Sequence, residues 1–276
     1  MTREIRVGDI VIGNNNPIVL IAGPCVIESR NMALDIAKSV QIICQKLKMP
    51  YIFKSSFDKA NRSSIKSYRG PGLIRGIKIL RDIKRKFQLP ICVDVHEISQ
   101  IDEVKEVADI IQIPAFLCRQ TDLILQAAKT QKVLNIKKGQ FIAPWDVKNI
   151  IEKIITTRNH QILLTERGFC FGYNNLVVDM KSIYIMRQTG YPVIFDGSHS
   201  VQQPAGKGTY TGGEREMIPA LTRAAAAVGC DGIFLEVHPH PEKALSDGPN
   251  MVRLNQLESI LKDVIDIDKL IRGRLQ

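Results

Sequence analysis

The sequence feature that most constrains the fold is an alternation, beginning after residue 17, of short apolar segments with segments of helical periodicity. The apolar segments are rich in Ile, Val and Leu, as strands buried on both faces should be. The predicted strands are 18–22, 51–55, 91–95, 110–113, 133–137, 162–165, 193–196 and 232–236. The predicted helices are 31–47, 73–87, 99–108, 122–129, 146–157, 175–187, 214–228 and 254–271.

Eight strands, each followed by a helix, favour an α/β fold in which one parallel (β/α)8 TIM barrel domain covers residues 1–276. An open doubly wound sheet is the alternative, but no Gly-x-Gly-x-x-Gly sequence follows the first strand. The lead sequence IRVGDIVIG alternates on either side of Gly8 and Asp9. Residues 1–17 are therefore predicted to form a short β-hairpin before the barrel.

The net charge of +10, from 38 basic and 28 acidic residues, suits an anionic partner. The basic residues are dispersed and only 6% of residues are aromatic, which favours phosphorylated metabolites over nucleic acid. No apolar run is long enough to span a membrane, and the first residues lack the layout of a signal peptide. We therefore expect a cytoplasmic protein without nucleic-acid or membrane partners.

A barrel enzyme builds its active site at the C-terminal ends of its strands. In this sequence, polar or ionisable side chains end or closely follow the predicted strands. Packing of buried strands does not require polar residues at these positions, so we expect them to form a site. These side chains are Lys54, Asp94, His96, Gln112, Asn135, Lys137, Arg167, His199 and Glu236.

One group of these residues is typical of a metal site. Cys25 follows the first strand, His199 follows the seventh and Glu236 ends the eighth, which barrel closure makes a neighbour of the first. Asp247, in the next loop, is able to reach the same point. A thiolate, an imidazole and carboxylates suit Zn²⁺, Fe²⁺ or Mn²⁺. A buried apolar thiol explains Cys25 taken alone, whereas the four residues together favour a metal.

Two further groups are typical of anion binding. One lies in the segment FKSSFDKANRSS at residues 53–64, and the other comprises Lys137 and Arg167 at the ends of strands five and six. Two separate cation groups indicate two anionic groups or two substrates, although a solvated basic loop also explains the first. The cations of the first group are Lys54, Lys59 and Arg62.

The segment DVHE places Asp94 and His96 two residues apart, so both side chains face the same side of a strand end. They suit proton transfer or the binding of hydroxyl groups, and a structural hydrogen-bonded pair explains them equally well. The loops at 200–213 and 238–250 are long and rich in Gly and Pro, which is typical of lids over an active site.

The sequence resembles the 3-deoxy-D-manno-octulosonate 8-phosphate synthase family from about residue 5 to residue 270, through the motifs IAGPCVIES, KANRSS, PAFLCRQTDL, DGSHSVQ and LEVHPHPEKALSDGP. KANRSS and PAFLCRQTDL are specific to these synthases. The resemblance implies a cytoplasmic homotetramer of (β/α)8 barrels. It also implies a transferase that condenses phosphoenolpyruvate with D-arabinose 5-phosphate and water, on the route to lipopolysaccharide.

The same resemblance implies a divalent metal, because the metal-independent branch of the family carries Asn where this sequence has Cys25. The native metal stays open among Zn, Fe and Mn. The implied metal ligands are Cys25, His199, Glu236 and Asp247.

The resemblance also implies roles for substrate-binding residues. Ser56 and Lys59 should bind the carboxylate of phosphoenolpyruvate, and Lys137 and Arg167 its phosphate, with Lys54 and Gln112 nearby. Phe116 should close the site of a neighbouring subunit. The phosphate of arabinose 5-phosphate should contact Asn61, Arg62 and Ser63. The implied catalytic residues are Lys59, Asp94, His96 and His199.

Two other functions stay open at this point. A 3-deoxy-heptulosonate 7-phosphate synthase uses erythrose 4-phosphate with similar metal ligands, but KANRSS and the short N-terminus argue against it. A non-catalytic barrel that binds sugar phosphates is disfavoured because no predicted ligand or cation is missing. The group that handles the water proton also stays open, among His199, His96 and a metal-bound hydroxide.

Overall fold

A computed structural model describes residues 1–204 and 212–272, and within them eight parallel strands close into a barrel. Each strand pairs with the next along the chain, and the eighth pairs with both the seventh and the first. This closure confirms the predicted (β/α)8 barrel. Residues 205–211 of the segment predicted as a lid lie outside the described residues. The strands are β1 Val19–Gly23, β2 Tyr51–Lys54, β3 Ile91–Asp94, β4 Ile110–Ile113, β5 Val133–Lys137, β6 Ile162–Glu166, β7 Val193–Asp196 and β8 Gly232–His238.

A helix follows each strand and packs its apolar face on the barrel. At the start of the first helix, the hydroxyl of Ser29 accepts a hydrogen bond from the amide of Met32. In the described parts of the chain, none of the helices combines the length and apolar composition that a membrane span needs. The helices are α1 Arg30–Leu47, α2 Leu73–Phe87, α3 Ile101–Lys105, α4 Thr121–Lys129, α5 Val147–Ile155, α6 Lys181–Arg187, α7 Ile218–Val228 and α8 Leu257–Arg272.

The predicted N-terminal hairpin is confirmed and closes one end of the barrel. Its strands, Ile5–Val7 and Ile10–Ile12, pair antiparallel. Gly8 and Gly13 of the hairpin lie beside Pro90 and Pro192, which come shortly before β3 and β7. The hairpin therefore covers the N-terminal ends of the strands. Its apolar side chains join a cluster of inward-facing residues that contains Val19, Ile21, Ile52, Cys92, Ile110, Val133, Leu163, Ile194 and Phe234.

The barrel interior changes from apolar to polar along seven of the eight strands, and the first strand ends at Gly23 instead. Side chains alternate between the two faces of a strand, so a residue two positions beyond an interior apolar residue also faces inward. Ile52 is followed in this way by Lys54, and Phe234 by Glu236. The other interior polar residues that obey this two-residue step are Asp94, Gln112, Asn135, Thr165 and Asp196. The site therefore forms at the C-terminal ends of the strands.

The helix predicted at 175–187 was wrong over its first six residues. Leu176–Val177 forms a short antiparallel pair with Phe169–Cys170, and α6 begins only at Lys181. The carboxylate of Asp179 accepts a hydrogen bond from the amide of Lys181, which marks the start of the helix. The predicted helices at 99–108, 146–157, 214–228 and 254–271 also begin later, because a single 3-10 turn precedes each of α3, α5, α7 and α8.

Candidate active site

A cavity of about 990 Å³ opens at the C-terminal ends of the barrel strands. Most of the predicted site residues line it, whereas Cys25 and Glu236 are fully buried and do not reach its surface. The structure therefore brings side chains from all parts of the sequence to one cavity. The predicted residues that line it are Lys54, Ser56, Lys59, Asn61, Arg62, Ser63, Asp94, His96, Gln112, Phe116, Lys137, Arg167, His199 and Asp247.

A close approach between β1 and β2 positions Cys25. A Cβ atom on Gly23 would lie 2.0 Å from the carbonyl oxygen of Lys54, so only glycine permits this spacing. The chain leaves the sheet at Cys25 and pairs again with the second strand through a bridge between Val26 and Ser56. The thiol of Cys25 donates to Oδ2 of Asp247 over 3.0 Å. The loop after β8 is thereby joined to the end of β1.

Three of the four predicted metal ligands form a compact group. One ligand atom each from Cys25, Glu236 and Asp247 lies within 4.8 Å of the other two. Glu236 is completely buried, and neither of its carboxylate oxygens accepts a hydrogen bond from any described residue. Such a carboxylate needs a compensating charge. The ammonium of Lys59 lies 3.6 Å away, and a cation held by all three residues would compensate it more directly.

The electrostatics of this group also fit a cation. Burial, together with the negative charges of Asp247 and Glu236, raises the pKa of the Cys25 thiol well above its usual range. Burial opposes ionisation of Asp247, but Lys59 and His199 outweigh it and lower the pKa of Asp247 to about 2. A divalent cation at this point would favour the thiolate and stabilise both carboxylates. The thiol and carboxylate donors suit Zn²⁺, Fe²⁺ or Mn²⁺.

The fourth predicted ligand, His199, lies at the edge of this group. Its Nε2 is 3.5 Å from Oε1 of Glu236, and its Nδ1 is 2.7 Å from Oδ2 of Asp196. Although burial opposes ionisation of Asp196, the nearby His199 and Lys137 hold the pKa of its carboxyl well below the usual range. The contact with Asp196 fixes the orientation of the ring, so Nε2 faces Glu236. Sequence reasoning missed Asp196.

Two buried cations form an anion-binding part of the cavity. Nζ of Lys137 lies 2.5 Å from Oδ2 of Asp196, so this carboxylate neutralises it. Arg167 donates from Nη2 to Oε1 of Gln202 over 2.7 Å, and its buried Nη1 has no partner among the described residues. Burial lowers the pKa of both cations. With one carboxylate for two cations, this part of the cavity favours an anionic ligand.

A chain of hydrogen bonds crosses the barrel interior and ends at Asp94. Gln112 donates to Oδ1 of Asp94 over 2.5 Å, Asn135 donates to Gln112 over 2.8 Å, and Thr165 donates to Asn135 over 2.7 Å. Lys54 lies 2.9 Å from the other oxygen of Asp94. This chain fixes the carboxylate of Asp94. Sequence reasoning listed Asn135 among the strand-end residues without giving it a role, and it missed Thr165.

Arg62 connects the loop after β2 to the loop after β8. It donates from Nη1 to Oγ of Ser246 over 2.7 Å and from Nη2 to the carbonyl oxygen of Leu245 over 2.9 Å. Arg62 therefore holds these two loops together.

Two aromatic rings complete the cavity wall. Phe116 lines the same cavity and is 54% exposed. The imidazole of His96 is packed edge-on against Phe57, and its buried Nδ1 has no partner in the described part of the chain.

The chain is similar over nearly its whole length to proteins named 2-dehydro-3-deoxyphosphooctonate aldolase, another name for the synthases that its motifs resemble. The Fusobacterium nucleatum protein is 58% identical over 270 residues, 98% of this chain and 97% of the relative. The Geotalea daltonii protein is 55% identical over 272 residues, 99% of this chain and 100% of the relative. A model of the DAHP synthetase I family matches residues 2–272. The chain therefore belongs to the DAHP synthetase I family and, within it, to the 2-dehydro-3-deoxyphosphooctonate aldolases.

Proposed function

We propose that this enzyme condenses phosphoenolpyruvate with D-arabinose 5-phosphate and water, and releases 3-deoxy-D-manno-octulosonate 8-phosphate and phosphate. Its family membership supports this reaction. The observation that carries the proposal is that one cavity gathers the cations of both predicted anion-binding groups beside a cluster of metal-ligand type. Two phosphorylated substrates need two such groups, because the substrates otherwise repel each other.

In this proposal the cations hold both substrates in a reactive orientation. Lys137 and Arg167 bind the phosphate of phosphoenolpyruvate, and Lys59 with Ser56 binds its carboxylate. The phosphate of the sugar is bound by Asn61, Arg62 and Ser63. Orienting two reactants in this way lowers a barrier by about 7–11 kcal/mol in well-aligned cases.

The reaction then needs one carbon–carbon bond and one water. Carbon 3 of phosphoenolpyruvate attacks the aldehyde carbon of the sugar, and the aldehyde oxygen takes a proton. Water adds to carbon 2 and loses a proton, and the bond between carbon 2 and the phosphate oxygen then breaks. His96 lines the cavity, and burial lowers its pKa. Burial thus favours the neutral ring, and we assign His96 the water proton.

Cys25, His199, Glu236 and Asp247 would hold a divalent cation, and the buried Glu236 without a hydrogen-bond donor supports this assignment. When bound, the ion polarises the sugar aldehyde. Cys25→Ala should remove the bound metal and most turnover, and elemental analysis after dialysis measures the metal. Cys44→Ala, which changes a buried thiol on α1, is the control. Near-normal turnover of chelated Cys25→Ala enzyme would contradict the metal assignment.

We further propose a cytoplasmic homotetramer in which Phe116 closes a neighbouring site, as the family resemblance implies. The ring of Phe116 is 54% exposed and so accessible to a second subunit. Light scattering measures the assembly. If the proposal is correct, Phe116→Ala weakens binding of both substrates in the assembled enzyme. A fully active monomer would contradict both the proposed homotetramer and the proposed role of Phe116 in a neighbouring site.

A coupled assay for phosphate release tests the reaction itself. Phosphoenolpyruvate is supplied with arabinose 5-phosphate or with erythrose 4-phosphate, before and after chelation, and single divalent ions are then restored. We expect phosphate release only when arabinose 5-phosphate, and not erythrose 4-phosphate, is supplied with phosphoenolpyruvate. Equal or faster release with erythrose 4-phosphate would instead indicate a heptulosonate 7-phosphate synthase. Binding of both substrates without phosphate release would indicate a non-catalytic barrel.

A further inference from the structure

Gln202 lies between the anion-binding part of the cavity and the metal-ligand group. Its Oε1 accepts a hydrogen bond from Nη2 of Arg167 over 2.7 Å, and its Nε2 donates to Oδ1 of Asp247 over 3.3 Å. A guanidinium is only a donor and an ionised carboxylate only an acceptor. A single orientation of the amide satisfies both neighbours. The side chain of Gln202 is therefore fixed by two groups that the proposed function assigns to different ligands.

The two oxygens of Asp247 have different partners. Oδ1 accepts from Gln202, whereas Oδ2 accepts from the thiol of Cys25 and from the hydroxyl of Ser246, each over 3.0 Å. The bond to Gln202 thus leaves Oδ2 facing the sulfur of Cys25. An outer partner of this kind orients a carboxylate for a cation without touching the cation itself. Gln202 is a positioning residue by this geometry.

The hydrogen bonds of Arg167, the partner of Gln202 in the anion-binding part of the cavity, are incomplete without an anion. Arg167 is 5% exposed, and its Nη1 has no partner among residues 1–204 and 212–272. Its neighbour Lys137 is already paired with Asp196. A phosphoryl group that accepts from Nη1 fixes the plane of the guanidinium, and Nη2 is then held against Gln202. Binding at Arg167 therefore restricts the amide and, through it, Asp247.

We propose that Gln202 couples the two sites, so that a phosphoryl anion on Arg167 raises the affinity of the Cys25, Glu236 and Asp247 group for a divalent cation. The inference rests on the proposed function for the identity of the two ligands. By linkage, the cation raises the affinity for the anion by the same factor. Direct attraction between anion and cation acts without Gln202 and persists when the amide is removed.

The test measures the affinity of the full-length protein for Mn²⁺ by chelator competition, with and without saturating phosphoenolpyruvate. It compares the wild type with Gln202→Met and Gln203→Met. Methionine keeps the length of the side chain but lacks the amide donor and acceptor. Gln203 is the matched control, because it is the next residue on the same short strand and its amide donates instead to Glu214.

We expect phosphoenolpyruvate to strengthen Mn²⁺ binding equally in the wild type and in Gln203→Met. In Gln202→Met the enhancement should fall at least about fivefold, the low end of typical coupling factors. Its Mn²⁺ affinity without phosphoenolpyruvate should fall ~10–100-fold. A merely structural defect would weaken the Mn²⁺ affinity with phosphoenolpyruvate and the Mn²⁺ affinity without it by the same factor, so their ratio would not change.

An enhancement in Gln202→Met equal to that of the wild type would overturn the coupling. If such enzyme still turns over with metal, the proposed function stands and only the coupling is lost. A wild-type protein that binds no Mn²⁺ and needs no metal for turnover removes both the coupling and the metal assignment. The reciprocal measurement, phosphoenolpyruvate affinity with and without Mn²⁺, must give the same ratio.

Discussion

The carboxylate of Asp196 lies 2.7 Å from Nδ1 of His199. The same oxygen, Oδ2, lies 2.5 Å from the ammonium of Lys137. One buried carboxylate therefore orients an imidazole beside the metal-ligand group and a cation of the anion-binding part of the cavity. The arrangement explains how both groups stay in place in a cavity that also admits solvent and substrates.

Replacing this carboxylate by a neutral side chain of the same shape should impair both parts of the site. For Asp196→Asn we expect kcat to fall ~10–100-fold, as for other residues that orient metal ligands. The KM for phosphoenolpyruvate should rise, because Lys137 loses the carboxylate that orients its ammonium and that opposes the lowering of its pKa by burial. Steady-state kinetics with each substrate varied in turn measure both effects.

Asp231→Asn is the matched control for this experiment. Asp231 is also completely buried, but it lies before β8 at the opposite end of the barrel, where it contacts Arg187 over 2.7 Å. Its replacement should lower the free energy of unfolding and leave kcat unchanged. If kcat of Asp196→Asn equals that of the wild type, Asp196 is not a positioning residue.

The hydrogen-bond chain through Gln112 predicts a second effect on turnover. Asn135→Leu removes the close donor to Oε1 of Gln112, so the buried oxygen of the amide that holds Asp94 keeps only the weak contact from the thiol of Cys92 over 3.9 Å. We expect a loss of about 1–3 kcal/mol in the free energy of unfolding, together with a lower kcat. Urea denaturation and initial rates measure the two quantities.

Thr165→Val separates the effect on turnover from the effect on stability. It leaves Asn135 without its donor and should cost a similar free energy of unfolding. The bonds from Asn135 to Gln112 and from Gln112 to Asp94 remain, so kcat should stay near that of the wild type. If kcat of Asn135→Leu also equals that of the wild type, the hydrogen-bond chain stabilises the barrel without positioning Asp94.

The residues that sequence reasoning missed differ in how they could have been found. Asp196 and Thr165 each come two positions after an interior apolar residue, as does Asn135, which the strand-end pattern had already indicated. The alternation of side chains along a strand was therefore enough to place them inside the barrel. Gln202 carries no such signal. Its neighbour Gln203 has the same side chain and contacts Glu214 instead. Only the packing of three loops distinguishes the two glutamines.

The fold itself was predictable because closure needs only eight buried strands in order, and their apolar runs are unambiguous. The error at 175–180 has a local cause. Leu176–Val177 is as apolar as the start of a helix, and its pairing with Phe169–Cys170 depends on the short turn between the two pairs. Short apolar segments do not distinguish a helix turn from a short strand.

The six cysteines should react very unequally with a thiol reagent. Cys170 is exposed and the other five are buried. Burial raises the pKa of both Cys44 and Cys92 to about 12, so roughly one in ten thousand of these thiols is ionised near pH 8. Ellman's reagent should therefore modify one thiol per chain rapidly in the folded protein.

The pH dependence of this reaction follows from the same shifts. The thiolate is the reactive form of a cysteine. Cys44 and Cys92 should therefore stay unreactive between about pH 7 and pH 9, since this range lies below their raised pKa. Cys170→Ser should abolish the fast phase. Two or more rapidly modified thiols per chain would contradict the burial of the other cysteines.

Arg62 predicts a difference between the two substrates. Its guanidinium lines the cavity and contacts the loop after β8 at Leu245 and Ser246. Arg62→Ala should raise the KM for arabinose 5-phosphate ~10–100-fold, as expected for a lost charged hydrogen bond of about 1.5–3 kcal/mol. The KM for phosphoenolpyruvate should change much less, because Lys137 and Arg167 remain.

Lys66→Ala is the matched control, because Lys66 is an exposed cation of the same loop after β2 that does not line the cavity. Its KM values should equal those of the wild type. Arg62→Lys keeps the charge but loses the two-pronged contact, so its KM for the sugar should lie between those of Arg62→Ala and the wild type. Equal increases of both KM values in Arg62→Ala would mean that Arg62 acts only by holding the loop after β8.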